Sequence, residues 1–334
     1  MIFVQNHSDD PYFNLALEEY LLREADHESV MLWQSRPSVV IGKHQNALGE
    51  INYPFVTRNR IPVIRRLSGG GTVFHSTGNV NFTFMRYGEE GRLVDFRKHT
   101  TPVVDFLVSL GIPARFEGKN DIRINGWKVS GNAEHVFRKR VLHHGTLLYD
   151  ADLSVLNESI RVTPERYIDK SVASVRSKVA NVSSFMNDPP PFGEFMSMFS
   201  AWLMDYFGSP SGVRELTAGE TAKIQALADE KYSQWHWNYG YSPDYEFYGE
   251  ASYLDQHLVS VLKVEKGYIR RAEIRLPGEK TGGAGQSAPL WKQLEAALPG
   301  CRHREPEIVA MLQRTQLLDG RRKALPAQLS GLFF

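Results

Sequence analysis

Residues 65–84 read Arg-Arg-Leu-Ser-Gly-Gly-Gly-Thr-Val-Phe-His-Ser-Thr-Gly-Asn-Val-Asn-Phe-Thr-Phe, and they tie a loop suited to an anion to a β-sheet. Gly69, Gly70 and Gly71 remove every Cβ over the loop, so backbone N–H groups can approach a charged ligand closely. Arg65 and Arg66 supply the counter-charge. A solvated glycine-rich turn is the ordinary reading of such a run. The flanks oppose it: Ile61, Val63 and Ile64 precede the arginines, and Val80 to Phe84 alternates apolar with polar. Both flanks read as half-buried strands that fix the arginines beside a rigid sheet.

Working outward, Asp10 before Pro11 marks a helix start, and Phe13, Leu17, Tyr20 and Leu21 recur at helical spacing, which predicts a helix over 11–24. Short strands are expected at Val30–Trp33, Val39–Gly42, Ile61–Arg65, Val73–Phe74, Val80–Met85, Asp121–Ile124 and Gly145–Tyr149, with helices at Val103–Leu110 and Phe195–Tyr206. Strands come in clusters with helices outside them. That order favours an α+β domain around a mixed or antiparallel sheet over a doubly wound parallel fold. After about residue 240 the composition shifts: Gly240-Tyr-Ser-Pro243 is turn-rich, a hairpin is expected from Leu258–Val264 and Tyr268–Leu276, and helices at 289–298 and 305–314. The expected organisation is a catalytic domain over 1–245 and a small α+β accessory domain over 246–334. Gly283-Ala-Gly285-Gln-Ser-Ala288 has the letters of a dinucleotide fingerprint, but no βαβ pattern surrounds it, so it reads as a flexible loop.

Composition narrows the function. The 334 residues give room for one large domain and a smaller one. With 39 basic and 38 acidic side chains the net charge is +1, so no global field favours nucleic acid or an anionic membrane, and neither is expected as a partner. The single cysteine, Cys301, excludes an internal disulfide framework and a cysteine-clustered zinc site. The N-terminus lacks the pattern of a secretory signal and no stretch approaches a membrane span, so a cytoplasmic protein is expected, a monomer in the simplest case.

A second chemical constellation spans Gly118 to Ala133 and sets Lys128 just after a two-residue turn between short strands. A fixed ammonium there can offset the repulsion between a carboxylate and a phosphate and stabilise charge developing in a transition state. Asp121 is a candidate Mg²⁺ ligand. Adjacent His143 and His144 open an expected strand, whose alternation sends them to opposite faces, one packed and one exposed. His75, directly after the glycine loop and its strand, is the better candidate for ligand contact.

Together, Arg65–His75, Gly78-Asn-Val-Asn-Phe82, Asn120-Asp121, Lys128-Val-Ser-Gly-Asn-Ala133 and His143-His-Gly-Thr-Leu-Leu148 resemble the lipoate-protein ligase A family. Phe13-Asn-Leu-Ala-Leu-Glu-Glu19, Pro37-Ser-Val-Val-Ile-Gly42 with Gln45-Asn46, and Ser174-Val-Arg-Ser177 fit the same family in the same order. The resemblance runs through roughly the first 245 residues, Trp235–Gly240 resembles the segment closing the large domain, and the tail resembles the family's accessory domain by pattern.

The resemblance implies a fold related to biotin ligases and the catalytic domains of class II aminoacyl-tRNA synthetases. It also implies a two-step reaction: lipoate and ATP with Mg²⁺ give lipoyl-adenylate, and the acyl group then passes to a lysine of a lipoyl domain of a 2-oxoacid dehydrogenase or of the glycine-cleavage H protein. By position, Arg66, Gly71, Thr72, Val73 and Phe74 match the nucleotide-contacting stretch. Ser68, Gly70, His75 and Asn79 match residues lining the lipoyl pocket, and Lys128 matches the lysine that contacts both ligands. Two positions depart from the family pattern: Ser76 stands where Asp is common, and His135 where a basic residue often follows. The family also implies an accessory domain that reorients between steps, with residues 240–250 as its hinge.

Rival readings remain open: a transferase using preformed lipoyl-adenylate or another acyl donor, and a non-catalytic lipoate- or nucleotide-binding regulator. A thioester route is disfavoured because Cys301 lies outside the expected catalytic domain.

Overall fold

The structure, a computed structural model, describes residues 1–89, 91, 93–160, 162–208, 213–253, 256–277, 289–316 and 325–334. The fingerprint-like run at 283–288 lies outside the described residues. Strands run in chain order as β1 (Ile2–Val4), β2 (Ser29–Trp33), β3 (Ser38–Ile41), β4 (Val63–Arg65), β5 (Val73–His75), β6 (Asn79–Tyr87), β7 (Ala114–Glu117), β8 (Asp121–Ile124), β9 (Trp127–Phe137), β10 (Arg140–Leu148), β11 (Tyr167–Asp169), β12 (Val213–Arg214), β13 (Tyr245–Tyr253), β14 (Gln256–Glu265) and β15 (Tyr268–Arg275). They fall in two compact units. The first comprises Met1–Lys43, Arg58–Ile160 and Ser174–Gln234, the second His44–Thr57, Arg161–Ala173 and Trp235–Phe334.

The first unit is built on an eight-stranded sheet of order β12-β1-β2-β6-β10-β9-β8-β7. The β12–β1 and β1–β2 pairs are parallel and the rest antiparallel, so the sheet is mixed. A three-stranded sheet of order β4-β3-β5 carries the glycine loop between β4 and β5. Alternation along β6 decides the layering: Val80, Phe82 and Phe84 join Phe106 of the helix Phe96–Ser109 and Phe195 and Phe199 of the helix Phe192–Tyr206 in one buried apolar cluster. The helix Pro11–Glu24 meets β6 and β10 from the other side. Asp10 caps it by accepting from the Tyr12 and Phe13 amides, and Pro11 occupies a position where a missing N–H costs nothing.

Two elements exceed their sequence signal. The expected helix Val103–Leu110 begins at Phe96, because Asp95 caps Lys98 and the helix carries Pro102 in its interior. The Thr100 and Thr101 hydroxyls donate to the carbonyls of Phe96 and Arg97 in that turn. β9, eleven residues long, extends well beyond the short strand expected after the turn before Lys128, since Ser130, Gly131, Asn132 and Glu134 erase its apolar alternation.

The second unit is an antiparallel sheet of order β11-β13-β14-β15. The expected hairpin forms, with Lys266 and Gly267 at positive φ in its turn. The helix Pro289–Ala297 packs on β15, and Glu305–Arg314 follows. The inserted stretches belong here by contact: Asn46 donates to Asp169 (2.9 Å), Ala47 N–H to Ser242 Oγ (3.1 Å), and Tyr53 stacks on Phe334 at 4.0 Å. The units are thus discontinuous in sequence, whereas the expected boundary near 245 is a single cut. Within the stretch expected as a hinge, Tyr245 to Glu250 lie in β13, which pairs with β14 along its length and with β11 over Tyr245–Phe247.

Candidate active site

The face of the large sheet opposite the apolar cluster carries polar side chains in register. One cross-strand row runs Asp121, Gly131, Thr146, Asn81 and Trp33, and the next runs Ala133, His144, Thr83 and Met31. Most of these groups are buried, so each polar atom needs a partner.

A directed relay satisfies many of them. Trp33 Nε1–H donates to Thr83 Oγ1 (2.9 Å), whose hydroxyl donates to Glu18 Oε1 (2.6 Å). His144 Nδ1 lies 2.9 Å from Glu18 Oε2, and its Nε2 lies 2.7 Å from Ser68 Oγ. Because Arg66 Nε–H donates to Ser68 Oγ (2.9 Å), the assignment that leaves no proton idle has Ser68 donating to His144 and His144 donating to Glu18. The relay links a guanidinium to a carboxylate through a hydroxyl and an imidazole. It is a Ser–His–Glu geometry, with the serine hydroxyl side chain fully buried and shared with an arginine.

The glycine loop is shaped by that arginine. Arg66, 5% exposed, directs its other donors to the carbonyls of Val40 (3.1 Å), Gly69 (2.6 Å) and Gly71 (2.8 Å). Arg65 is wholly buried and bonds the Gly42 and Lys43 carbonyls, both at 3.0 Å. Gly70 takes φ +88, and a Cβ there would lie 3.1 Å from Arg66 Nη2. A Cβ on Gly71 would lie 3.1 Å from Ser174 Oγ, the atom that accepts the Thr72 N–H at 2.9 Å.

From Ser174 the chain runs to β9: Lys128 N–H donates to the Lys178 carbonyl (2.9 Å) and Ala180 N–H to the Lys128 carbonyl (3.1 Å). One segment therefore touches both the glycine loop and the lysine strand. Lys128 follows the turn Asn125-Gly126, both at positive φ, and its ammonium lies 2.8 Å from Asp121 Oδ1. Gly131 makes room for it, since a Cβ there would lie 3.2 Å from Lys128 Cε. Arg123 holds the other Asp121 oxygen at 2.7 Å, so both carboxylate oxygens face cations.

The remaining expected residues are placed as follows. Asn79 is wholly buried and saturated: it accepts from Ser76 Oγ (2.6 Å) and donates to the Phe74 carbonyl and Thr146 Oγ1, both at 3.0 Å. Ser76 thereby ties the turn after β5. Val73 is half-buried and Phe74 buried. His75 is buried edge-on against Trp33 (5.4 Å), and its Nδ1 has no hydrogen-bond partner. Burial, then the charges of His144 and Arg66, pull its pKa down to about 3. His135 is likewise pulled down, by burial and then by Lys43 and Arg23.

His143 and His144 do point to opposite faces, but the expectation that one is exposed is corrected, since both are buried. Helices cover each face. His143 Nδ1 and His99 Nδ1 each lie 2.9 Å from Glu134 Oε1 on the apolar side. This is the one trio of possible metal ligands among the described residues, and its spacings are those of hydrogen bonds. Burial opposes ionisation of Glu134, yet the hydrogen bonds from His143 and His99 hold its carboxyl down at about 2, and burial lowers His143 to about 4. Glu18, Thr83, Trp33, Asn81 and His144 went unassigned in the sequence. Only the quoted family motifs containing Glu18, Asn81 and His144 could have drawn attention to them.

Comparison with known proteins identifies the family. A family model described as the lipoyl protein ligase A/B catalytic domain matches residues 10–204. Lipoate–protein ligase 1 of Staphylococcus aureus is 37% identical over 308 residues, 91% of this chain and 90% of its own. A Thermoplasma acidophilum protein described as a lipoate protein ligase, solved with bound lipoic acid, aligns with a TM-score of 0.62 at 25% identity over 72% of this chain and 98% of that one. A bi-partite ligase from the same organism, described with its E2 lipoyl domain, gives 0.61 at 25% identity over 72% and 96%. A lipoate-protein ligase A bound with ATP gives 0.60 at 25% over 72% and 98%. With a family model over more than half its length and a relative above one-third identity across nine-tenths of it, the chain belongs to the lipoyl protein ligase A/B family and is an enzyme of the lipoate-protein ligase class.

Proposed function

We propose that this ligase activates its own acyl donor. In the first step a lipoate carboxylate oxygen attacks the α-phosphorus of ATP, pyrophosphate leaves, and lipoyl-adenylate remains in the cleft. In the second, the ε-amine of a lysine on a lipoyl domain attacks the acyl carbon, AMP leaves, and an amide forms. The observation that carries the reading is Lys128, held by Asp121 on the polar face, with one segment running from its backbone to the glycine loop. A fixed cation beside backbone donors is what stabilises charge on the carboxylate and the α-phosphate as they meet.

Relatives support each substrate: one neighbour holds lipoic acid, another ATP, and a third is described with an E2 lipoyl domain. In this reading the Gly71–Phe74 stretch meets the nucleotide through its backbone, and Arg66 acts by shaping that loop. Mg²⁺ would accompany ATP, with Asp121 its candidate protein ligand once Lys128 or Arg123 turns to phosphate. Cys301 takes no part, since burial pushes its thiol up. Acceptors would be lipoyl domains of 2-oxoacid dehydrogenases and the glycine-cleavage H protein in the cytoplasm. Among the described residues no helix is long and apolar enough to cross a membrane.

The test is one incubation of the full chain with lipoate, MgATP and a lipoyl domain, followed by pyrophosphate release and the mass of the domain. A gain of one lipoyl group with pyrophosphate released is expected. Transfer from supplied lipoyl-adenylate alone would favour a transferase.

A further inference from the structure

Asn81 is 1% exposed, and neither Oδ1 nor Nδ2 has a hydrogen-bond partner. It sits on the polar face between two satisfied neighbours, Thr146 across one strand and Trp33 across the other. A buried amide with both atoms idle is rare enough to need an explanation, and a ligand is the one its setting offers. His75 Nδ1, against Trp33, is idle as well. The Asn81 amide offers one uncharged donor group and one acceptor, so it suits a neutral, polarisable partner.

Distance says which part of the substrate reaches it. Lys128 lies over Gly131, and the row from Gly131 through Thr146 to Asn81 crosses two strand gaps, about 9.5 Å. An extended acyl chain advances about 1.2 Å per bond, so one of octanoyl length reaches about 8–9 Å from its carboxylate. With the carboxylate at Lys128 and the chain running along that row, its far end falls at Asn81, which Trp33 follows in the row. In lipoate that end is the dithiolane ring. Its sulfurs accept weak hydrogen bonds and pack well at aromatic edges.

We propose that Asn81 determines specificity for the far end of the acyl substrate, its amide N–H donating to a ring sulfur of lipoate and so disfavouring octanoate, which leaves the amide buried and unpaired. The proposal rests on lipoate being the ligated acid. A site built around a buried donor rejects an analogue that cannot accept from it.

The experiment compares kcat/KM for lipoate and for octanoate in the full-length parent, in Asn81→Leu, which keeps the shape without the amide, and in Asn81→Ser, with MgATP and a lipoyl domain. The parent should prefer lipoate, and that preference should fall about tenfold in Asn81→Leu, the worth of one net hydrogen bond. The fall should show in KM more than in kcat, because the contact lies far from the reacting carbon. Equal losses for both acids, in either variant, would make Asn81 a structural residue and overturn the proposal. Unchanged ratios would overturn it too, as would a parent indifferent to the two acids. A parent that ligates neither acid would instead strike at the ligase reading itself.

Discussion

The two faces of the large sheet are built from alternate residues of the same strands and do opposite things. On one face Phe82, Phe84, Phe106, Phe195 and Phe199 form an apolar core with a polar inclusion, the His99–Glu134–His143 trio, in which both histidines share one carboxylate oxygen and His143 Nε2 is left idle. On the other, Glu18, Ser68, Thr83, Asn79 and His144 form a buried polar layer, and Asn81 and His75 Nδ1 are left idle within it. Burial alone therefore does not distinguish core from site. What does is how densely the polar groups line the face: an isolated trio among phenylalanines on one side, a continuous layer on the other.

That contrast can be broken from either side. Phe199 is fully buried, stacked on Phe106 at 4.5 Å, so Phe199→Ala should cost about 3–5 kcal/mol of stability. Chemical denaturation should show the loss, while the relative use of ATP and lipoate by the remaining folded enzyme stays as in the parent. A shift in that relative use would mean the two faces are not independent.

Lys128→Ala attacks the polar face and should leave the fold intact, since the side chain is a quarter exposed and its removal opens no core cavity. Adenylate formation should drop by about a hundred- to a thousandfold, or roughly 2.7–4 kcal/mol of barrier. Pyrophosphate release near the parental rate would remove Lys128 from the chemistry.

The smallest effect lies in the apolar core's polar inclusion. His143 is held near 4 by burial, below its usual 6.5, so between those values the unfolded chain binds more protons and stability falls as the solution is acidified. Glu134, held near 2 rather than 4.5, extends the loss in the same direction below pH 4.5. Melting temperature should thus decline from about pH 6.5 downward, and His143→Gln, which keeps a donor but does not titrate, should flatten the part between 6.5 and 4. An unaltered profile would assign the acid sensitivity to other buried histidines such as His75 and His303.

Legibility in the sequence followed locality. The helix Pro11–Glu24 matched its expected bounds because its cap and its spacing are contained in its own residues. β6 and the glycine loop were legible for the same reason. The full length of β9 was not, although a short strand was expected at Lys128, because a strand lined with polar groups has no alternation to read. Pro102 hid the first half of its helix by looking like a breaker. Arg66 was expected to reach a nucleotide, and only the folded loop reveals carbonyl oxygens of Val40, Gly69 and Gly71 around it.

By itself, then, the sequence determined the fold class, the candidacy of the glycine loop and of Lys128 and, through a resemblance spread over several motifs, the family. Tertiary structure alone decided which residues share the site. Glu18, Ser68 and His144 meet although Glu18 and His144 lie 126 positions apart, and Asn81 is idle only because sheet register sets it between two satisfied neighbours. The reason is physical: hydrogen bonding in a buried layer depends on which strands pair and which helix covers them, and those are long-range properties that no local pattern encodes.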